Sequence, residues 1–207
     1  FNGVKHYFYL EFDAVPVESG SIRSGENPVV FARFAAASHQ VNLRYGISYI
    51  SEEQARKNMQ EDKTGFDYRI LAETARIVWN NALGKIQIEG GTENEKTVFY
   101  TSLYRCHERM INISEDGKYL GFDGKIHEDG GIPFWTDDWI WDTYRALHPL
   151  QILLNPTAES QKLTSYLRMY EQSGWVPTFP CVFGDAHCMN GNHAAAMFAD
   201  ALSKGIR

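Results

Sequence analysis

Residues 135–150 read Trp-Thr-Asp-Asp-Trp-Ile-Trp-Asp-Thr-Tyr-Arg-Ala-Leu-His-Pro-Leu, which gathers three Trp, three Asp, one Arg and one His into sixteen positions. An indole beside a carboxylate and a guanidinium suits a sugar. The flat apolar ring lies against the C–H face, and the charged groups meet the hydroxyls. Thr136 or Asp137 can cap a helix here by accepting free N–H groups of its first turn. Ile140, Tyr144 and Leu147 would then share one face. Asp142 and Arg145 are three apart and can meet on one side. The alternative is a buried aromatic helix start with a structural Asp–Arg pair, since Trp is highly buried on average. Local composition leaves both readings open.

Other candidates lie further out in the chain. His107 and Glu108, with Arg109, form a charged triplet near a helix end, where a solvated or structural cluster is the ordinary outcome. Trp175 follows Gly174 and is placed to line the entry of a cleft. His187 and His193 flank Met189-Asn-Gly-Asn192, where a loop His can orient a hydroxyl, and Asp185 is a carboxylate with a solvated surface role by default. Cys106, Cys181 and Cys188 are odd in number and form no CxxC pair. The Cys181–His187–Cys188 spacing fits no usual zinc cluster, so free or buried thiols are expected and the compartment is not fixed.

The elements that must position these residues change character along the chain. Residues 6–13, 29–34 and 41–48 are aromatic-rich or β-branched runs that read as strands. Turn-rich stretches at 18–21 and 25–28 separate them. Three or four strands are too few to close a core, so residues 1–50 read as the end of a larger β-sandwich. Residues 51–92 read as a helical linker. Ser51 and Gln54 form a capping-box pattern, Asp67 caps a second helix through Leu83, and Gly84 ends it in a left-handed conformation. A short strand at 86–89 stops at Gly90-Gly91.

Residues 93–207 read as helix after helix with long irregular insertions. A helix spans 97–110, and two Asp-Gly turns follow around a hairpin at 114–124. These pairs lack the strict oxygen series of an EF-hand. Asn155-Pro156 starts another helix, with Leu163, Tyr166, Leu167 and Tyr170 as its apolar set and Ser173-Gly174 as its stop. A final helix covers 190–204, with Gly205 at its end. The expected class is α+β and multidomain, and the second part suits a toroid of paired helices whose loops at one end build a cleft.

The 207 residues suffice for one domain or parts of two. A net charge of −6 argues against a nucleic-acid binder. No apolar run approaches the length of a membrane span. The sequence opens at Phe1 without a charged-then-apolar leader, which implies a signal peptide removed or never included.

Trp141-Asp-Thr-Tyr-Arg145 with Pro149-Leu150, Gly174-Trp-Val-Pro177, Met189-Asn-Gly-Asn-His193, Asp200-Ala201 and Lys204-Gly-Ile206 run in an order that resembles the family 92 glycoside hydrolases, calcium-dependent exo-α-mannosidases. Upstream, His6-Tyr-Phe-Tyr-Leu-Glu-Phe12, Gly46-Ile-Ser48, Ser51 with Ala55-Arg56 and Asn58, Trp79-Asn80 and Phe99-Tyr-Thr-Ser-Leu-Tyr104 fit the same order. The resemblance covers nearly the whole chain. It implies the closing part of an N-terminal β-sandwich and the first helices of an (α/α)6 barrel that continues beyond Arg207. It implies inverting release of terminal mannose from a mannose-containing oligosaccharide or N-glycan, with α-1,2 the first expectation and α-1,3, α-1,6 and mannose phosphodiester linkages not separated by these residues. A Ca2+ ion would bind neighbouring hydroxyls and help distort the ring. Such hydrolysis needs a general acid and a general base, and the resemblance puts both, with the calcium ligands, mainly on later helices. The chain alone is then expected to be inactive.

Within the chain, the resemblance implies that Trp141 and Asp142 contact the terminal mannose and that Arg145 holds Asp142. Relatives carry Trp-Pro where this chain has Phe179-Pro180, which bears on leaving-group recognition. A periplasmic or extracellular location follows from the same resemblance. The competing readings are a non-catalytic carbohydrate-binding or structural module and a glycosidase of another toroid family.

Overall fold

The computed structural model describes residues 3–24, 27–61 and 63–206. The chain divides into two compact units, His6–Ala75 and Arg76–Arg207 with Phe1–Lys5.

The first unit is built on strand alternation. Strands β1 (Tyr7–Phe12) and β4 (Leu43–Ser48) pair antiparallel, from Tyr7 opposite Ser48 to Phe12 opposite Leu43. The two-residue period puts Gly46 and Ser48 on a buried face. That face lies against helix α1 (Glu52–Glu61), which contributes Ala55 and Met59 to the core. Phe8, Leu10, Tyr45 and Ile47 fall on the opposite face and are exposed. Ser51 caps α1, accepting the Gln54 N–H at 3.0 Å. The Gln54 amide donates to Asn58 Oδ1, and the Ser51 N–H turns to Ser48 Oγ.

A hairpin of β2 (Glu18–Ser24) and β3 (Asn27–Arg33) follows the same rule, with Glu18 opposite Arg33. The turn expected at 18–21 is therefore strand. Gly20 lies opposite Phe31, whose ring would be 3.1 Å from a Cβ there, so this glycine makes room for a cross-strand aromatic. Of the turn expected at 25–28, Gly25 and Glu26 lie outside the described residues, while Asn27 and Pro28 begin β3.

Helix α2 (Tyr68–Leu83) starts where Asp67 accepts the Arg69 N–H, as its sequence suggests. Gly84 closes it with an ordinary bond to Asn80 O and not from the left-handed region. Residues 86–89 form no strand. The Ile86 carbonyl accepts instead from the Tyr100 hydroxyl of the next helix.

In the second unit, helix α3 (Glu93–Arg105) begins earlier than the apolar pattern suggests because Thr92 and Glu95 form a complete capping box. It ends at Arg105, before the charged triplet. Short strands β5 (Ile111–Asn112), β6 (Lys118–Leu120), β7 (Ile126–Glu128) and β8 (Trp135–Thr136) pair β5 with β8 and β6 with β7. Asp116 and Gly117 both have positive φ and close a tight turn between Glu115 and Lys118, the geometry favoured by Asp-Gly.

Helices α4 (Ile140–Thr143), α5 (Leu147–Leu154), α6 (Pro156–Ser173) and α7 (His193–Ser203) complete the unit, with a minimal hairpin of β9 (Pro180–Cys181) and β10 (Gly184–Asp185) between α6 and α7. The limits of α6 are those its sequence marks. Asn155 accepts the Ala158 N–H, Pro156 opens the first turn and Gly174 ends it at φ +87°. Its buried face differs from expectation. Leu163 and Tyr166 are inside, but Leu167 and Tyr170 are half-exposed, and Glu159, Lys162, Ser165 and Met169 complete the inner face.

The described residues thus form a mixed α+β structure of seven helices and small antiparallel sheets. No helix among them is long and apolar enough to cross a membrane.

Gly46 tests the first unit. A Cβ there would lie 2.0 Å from the Ala55 carbonyl oxygen and 2.9 Å from Met59 Cβ. Backbone cannot yield as a flexible side chain can. Gly46→Ala should destabilise the unit by at least about 1–3 kcal/mol, the usual cost of overpacking, measured by chemical denaturation against wild type.

Candidate functional site

The tryptophan-rich segment departs from the single helix its sequence suggests. Thr136 is in β8, buried, with its hydroxyl donating to Cys181 O at 3.1 Å. Asp137 has φ +63° and pairs with the Arg109 guanidinium. Neither caps a helix. The helical stretch is α4 alone, one turn with Trp139 at its N-cap and no side-chain cap bond. Residues 144–146 form turns before α5 begins. The i, i+3 relation of Asp142 and Arg145 is therefore lost. Arg145 Nε donates to the Tyr144 hydroxyl at 2.8 Å and does not hold Asp142.

A buried polar network orders this segment. Asp138, His148 and Glu159 are fully buried, and Lys162, Thr143 and Tyr166 nearly or fully so. Asp138 accepts from Thr143 Oγ1 at 2.8 Å, Tyr166 OH at 2.7 Å and His148 Nε2 at 2.9 Å. His148 Nδ1 lies 2.6 Å from Glu159 Oε1, and the Lys162 ammonium is 3.4 Å from the other Glu159 oxygen. Ionised carboxylates only accept, so a ring with one at each nitrogen must donate from both and is an imidazolium.

The electrostatics agree with this geometry. Burial opposes charge on His148, but its bonds to Asp138 and Glu159 outweigh burial and raise its pKa to about 9. Burial by itself would raise the Asp138 carboxyl, but His148, Tyr166 and Thr143 together hold it below its ordinary value. The Tyr166 phenol is pushed well above its usual range, by burial first and then by Asp138.

Above this network the tryptophans differ in what they touch. Trp139 and Trp141 are almost equally exposed, 43% and 41%. Trp139 has the Arg109 guanidinium 4.3 Å from its ring centre and Phe179 stacked at 6.1 Å, so it is part of the scaffold. Trp141 has no ring or cation partner, and the adjacent exposed Asp142 carboxylate has no hydrogen-bond or ion-pair partner, among the described residues. A free indole next to a free carboxylate is the arrangement a polyol needs.

The remaining candidates divide. His193 stacks on Tyr144 at 4.2 Å, which joins it to the Trp141 segment. Trp175 is exposed and meets His187 edge-on at 5.3 Å. Asp185 is not a solvated surface carboxylate. Its side chain is buried and accepts the backbone N–H groups of Thr178, Phe179 and His187, organising the loop. His107 packs edge-on against Trp79, and burial, then Lys162 and Lys85, lower its pKa. Glu108 is exposed. No hydrogen bond, ion pair or ring contact among the described residues joins His107 or Glu108 to Trp141 or Asp142. Among the described residues no group of three or more His, Cys, Asp or Glu side chains is arranged to hold a metal ion.

The sequence reading missed Asp138, His148, Glu159, Lys162 and Tyr166 as one unit. Their spacings carry no pattern, and the only signal was the number of ionisable residues in a stretch otherwise dense in aromatics.

A helical unit with a buried charge clamp beneath an exposed Trp–Asp pair fits a carbohydrate-active protein, and the chain belongs to glycosyl hydrolase family 92. The sequence model of that family's catalytic domain matches residues 54–207. The structure is similar to the family 92 inverting mannosidase of Bacteroides thetaiotaomicron, at TM-score 0.83 and 30% identity over 98% of this chain and 29% of that one. It is also similar to a second family 92 α-mannosidase of that organism, solved with mannoimidazole, at TM-score 0.75 and 28% identity over 98% and 29% of the two chains. An uncharacterised secreted glycosidase of Arthroderma benhamiae is 24% identical over 85% of this chain and 20% of its own length. The chain thus spans between a fifth and a third of these relatives.

The buried imidazolium sets a pH dependence of stability. Its pKa of about 9 in the fold exceeds the ordinary 6.5. Its contribution is therefore complete below about pH 6.5 and lost as pH rises through about 9. Asp138 acts oppositely, contributing above about pH 4 and failing as pH falls through its lowered value. Denaturation midpoints should fall between pH 6.5 and 9, and His148→Gln should flatten that limb. At pH 6 the same variant should cost about 3–5 kcal/mol, because two buried carboxylates lose their shared cation.

Proposed function

We propose that this chain is part of an exo-acting α-mannosidase that releases terminal mannose from glycans, and that Trp141 and Asp142 contact the terminal sugar. The observation that carries this reading is the adjacent, exposed and unpartnered indole and carboxylate on α4, in a chain that belongs to family 92. The indole covers the apolar C–H face of the ring. The carboxylate accepts from sugar hydroxyls, and charge-assisted bonds of this kind are about twice as strong as neutral ones. If they tighten as the ring distorts, they favour the transition state over the bound substrate.

The reading extends to the whole protein. Hydrolysis proceeds with inversion, and the general acid and base come from residues outside these 207. A carboxyl pair working this way is separated widely enough to admit a water. The preferred linkage is α-1,2, in a mannose-containing oligosaccharide or N-glycan. Calcium, when bound, supplies positive charge to neighbouring sugar hydroxyls, and its ligands belong to the rest of the protein. Residues 93–207 are the first part of an (α/α)6 toroid, residues 51–92 a helical linker, and residues 1–50 the closing part of a β-sandwich. The exposed apolar face of β1 and β4 supports the last assignment. A periplasmic or extracellular location is supported by the secreted relative.

In the full-length protein, mannose release from an α-1,2-mannobioside should be abolished by a chelator and restored by calcium. Asp142→Ala should lower kcat/KM by about 10- to 100-fold, the loss of one or two charge-assisted bonds. Release that survives chelation, or near wild-type turnover by the variant, overturns the corresponding part of the reading. The 207-residue chain by itself should release no mannose.

A further inference from the structure

We propose that Asp138, held by His148 and Tyr166, is a positioning residue that fixes the one-turn helix carrying Trp141 and Asp142, so that the buried network sets the geometry of sugar contact. This rests on the assignment of Trp141 and Asp142 to the sugar.

Helix α4 has only four residues and no side-chain cap. An isolated turn of that length does not hold itself, because nucleation fixes several residues for one hydrogen bond. Its own anchors are few, namely the buried Ile140 and Thr143. Trp141 and Asp142 sit between them with no partners of their own among the described residues.

The backbone bonds of α4 run from Asp142 and Thr143 to Trp139 O and from Tyr144 to Ile140 O, and a single carboxylate ties that turn to the rest of the unit. Asp138 lies immediately before the N-cap, and Thr143, at the last helical position, donates back to it at 2.8 Å. The Asp138 backbone N–H donates to Pro180 O at 3.0 Å, so the same residue also ties the turn to the β9–β10 hairpin. Its second oxygen accepts from His148 on α5 and Tyr166 on α6. The orientation of α4 is therefore referred to two longer helices through one side chain.

His148 is fixed in turn by Glu159, which Lys162 neighbours. In this charged cluster Glu159 Oε2 makes no hydrogen bond among the described residues, and the Lys162 ammonium faces it at 3.4 Å; few alternative arrangements are allowed, because any other leaves a buried charge unpaired. Apolar packing of the same volume would tolerate small rotations of the turn, and a rotation would move the indole and the carboxylate together.

Thr143→Val and Tyr166→Phe each remove one hydrogen bond to Asp138 with little change of shape. They are compared in the full-length protein with Leu103→Ala, a core truncation in α3 that removes no hydrogen bond to Asp138. The probes are mannoimidazole binding by calorimetry and hydrogen exchange of the amides of residues 139–144. Both network variants should weaken mannoimidazole by roughly tenfold, equal to about 1.4 kcal/mol, and speed exchange of the turn. Leu103→Ala should lower the melting temperature but leave both readouts at wild-type values.

Unchanged exchange in the network variants overturns the clamp, whatever the binding result. Faster exchange with wild-type affinity overturns the positioning role. A wild-type protein that neither binds mannoimidazole nor releases mannose overturns the sugar assignment instead, and with it this use of the turn.

Discussion

A histidine between two buried, ionised carboxylates is doubly protonated. With Asp138 at Nε2 and Glu159 at Nδ1, the ring must carry both protons, and its charge must be matched within the core. Lys162 brings the cluster to two cations and two anions. A buried pair of this kind rarely adds stability over well-packed apolar residues, because desolvation offsets attraction. What it adds is direction. Hydrogen bonds fix angles as well as distances, and here they fix α5, α6 and the segment before α4 to one another.

The inner face of α6 follows from that demand. Glu159, Lys162 and Tyr166 lie three and four positions apart, so one helical face presents an acceptor, a cation and a donor toward α5 and Asp138. Ser165, on the same side, accepts the Trp135 N–H and so ties β8 to the helix. The apolar positions Leu167 and Tyr170 are turned outward as a result. Around Asp138 the β9–β10 loop is attached at several points: through Pro180 O, through the Thr136 hydroxyl on Cys181 O, and through Trp139 against Phe179. Trp139 is thereby committed to the scaffold, which leaves Trp141 as the plate next to a free carboxylate.

What the sequence made legible was local. Asn155-Pro156 and Gly174 mark the limits of α6 because capping and the left-handed stop involve residues a few positions apart. Asp116-Gly117 marks its turn for the same reason. The order of short motifs was enough to place the chain in its family. Long-range pairing was not legible. Asp138, His148 and Glu159 meet only after three elements have packed, and nothing in their spacing announces it. Ile140, Tyr144 and Leu147 read as one face of a helix capped at Thr136 or Asp137, but pairing at β8 and the bonds made by Asp138 break that period after one turn. Likewise the serines and glycine of β2 read as turn until β3 lies beside them. Strand preference depends on the partner more than on the residue.

The first unit shows the same dependence on what lies beside it. In β1 and β4 both faces of the ladder carry residues suited to burial. One face has Gly46 and Ser48 beneath α1, and the other has Phe8, Leu10, Tyr45 and Ile47. A strand with one face in water usually alternates apolar with polar, whereas apolar character on both sides belongs to a strand covered twice. Two-stranded sheets are marginal in isolation and need further strands or a helix against them. Helix α1 satisfies that need on one side only. The aromatic and aliphatic residues on the other side are exposed and suited to the second layer of the proposed sandwich, and the register, Phe8 opposite Ile47 and Leu10 opposite Tyr45, sets the spacing such a layer would have to match. A second sheet packed about 10 Å away would meet this requirement, which is the physical ground for reading these strands as one side of a sandwich.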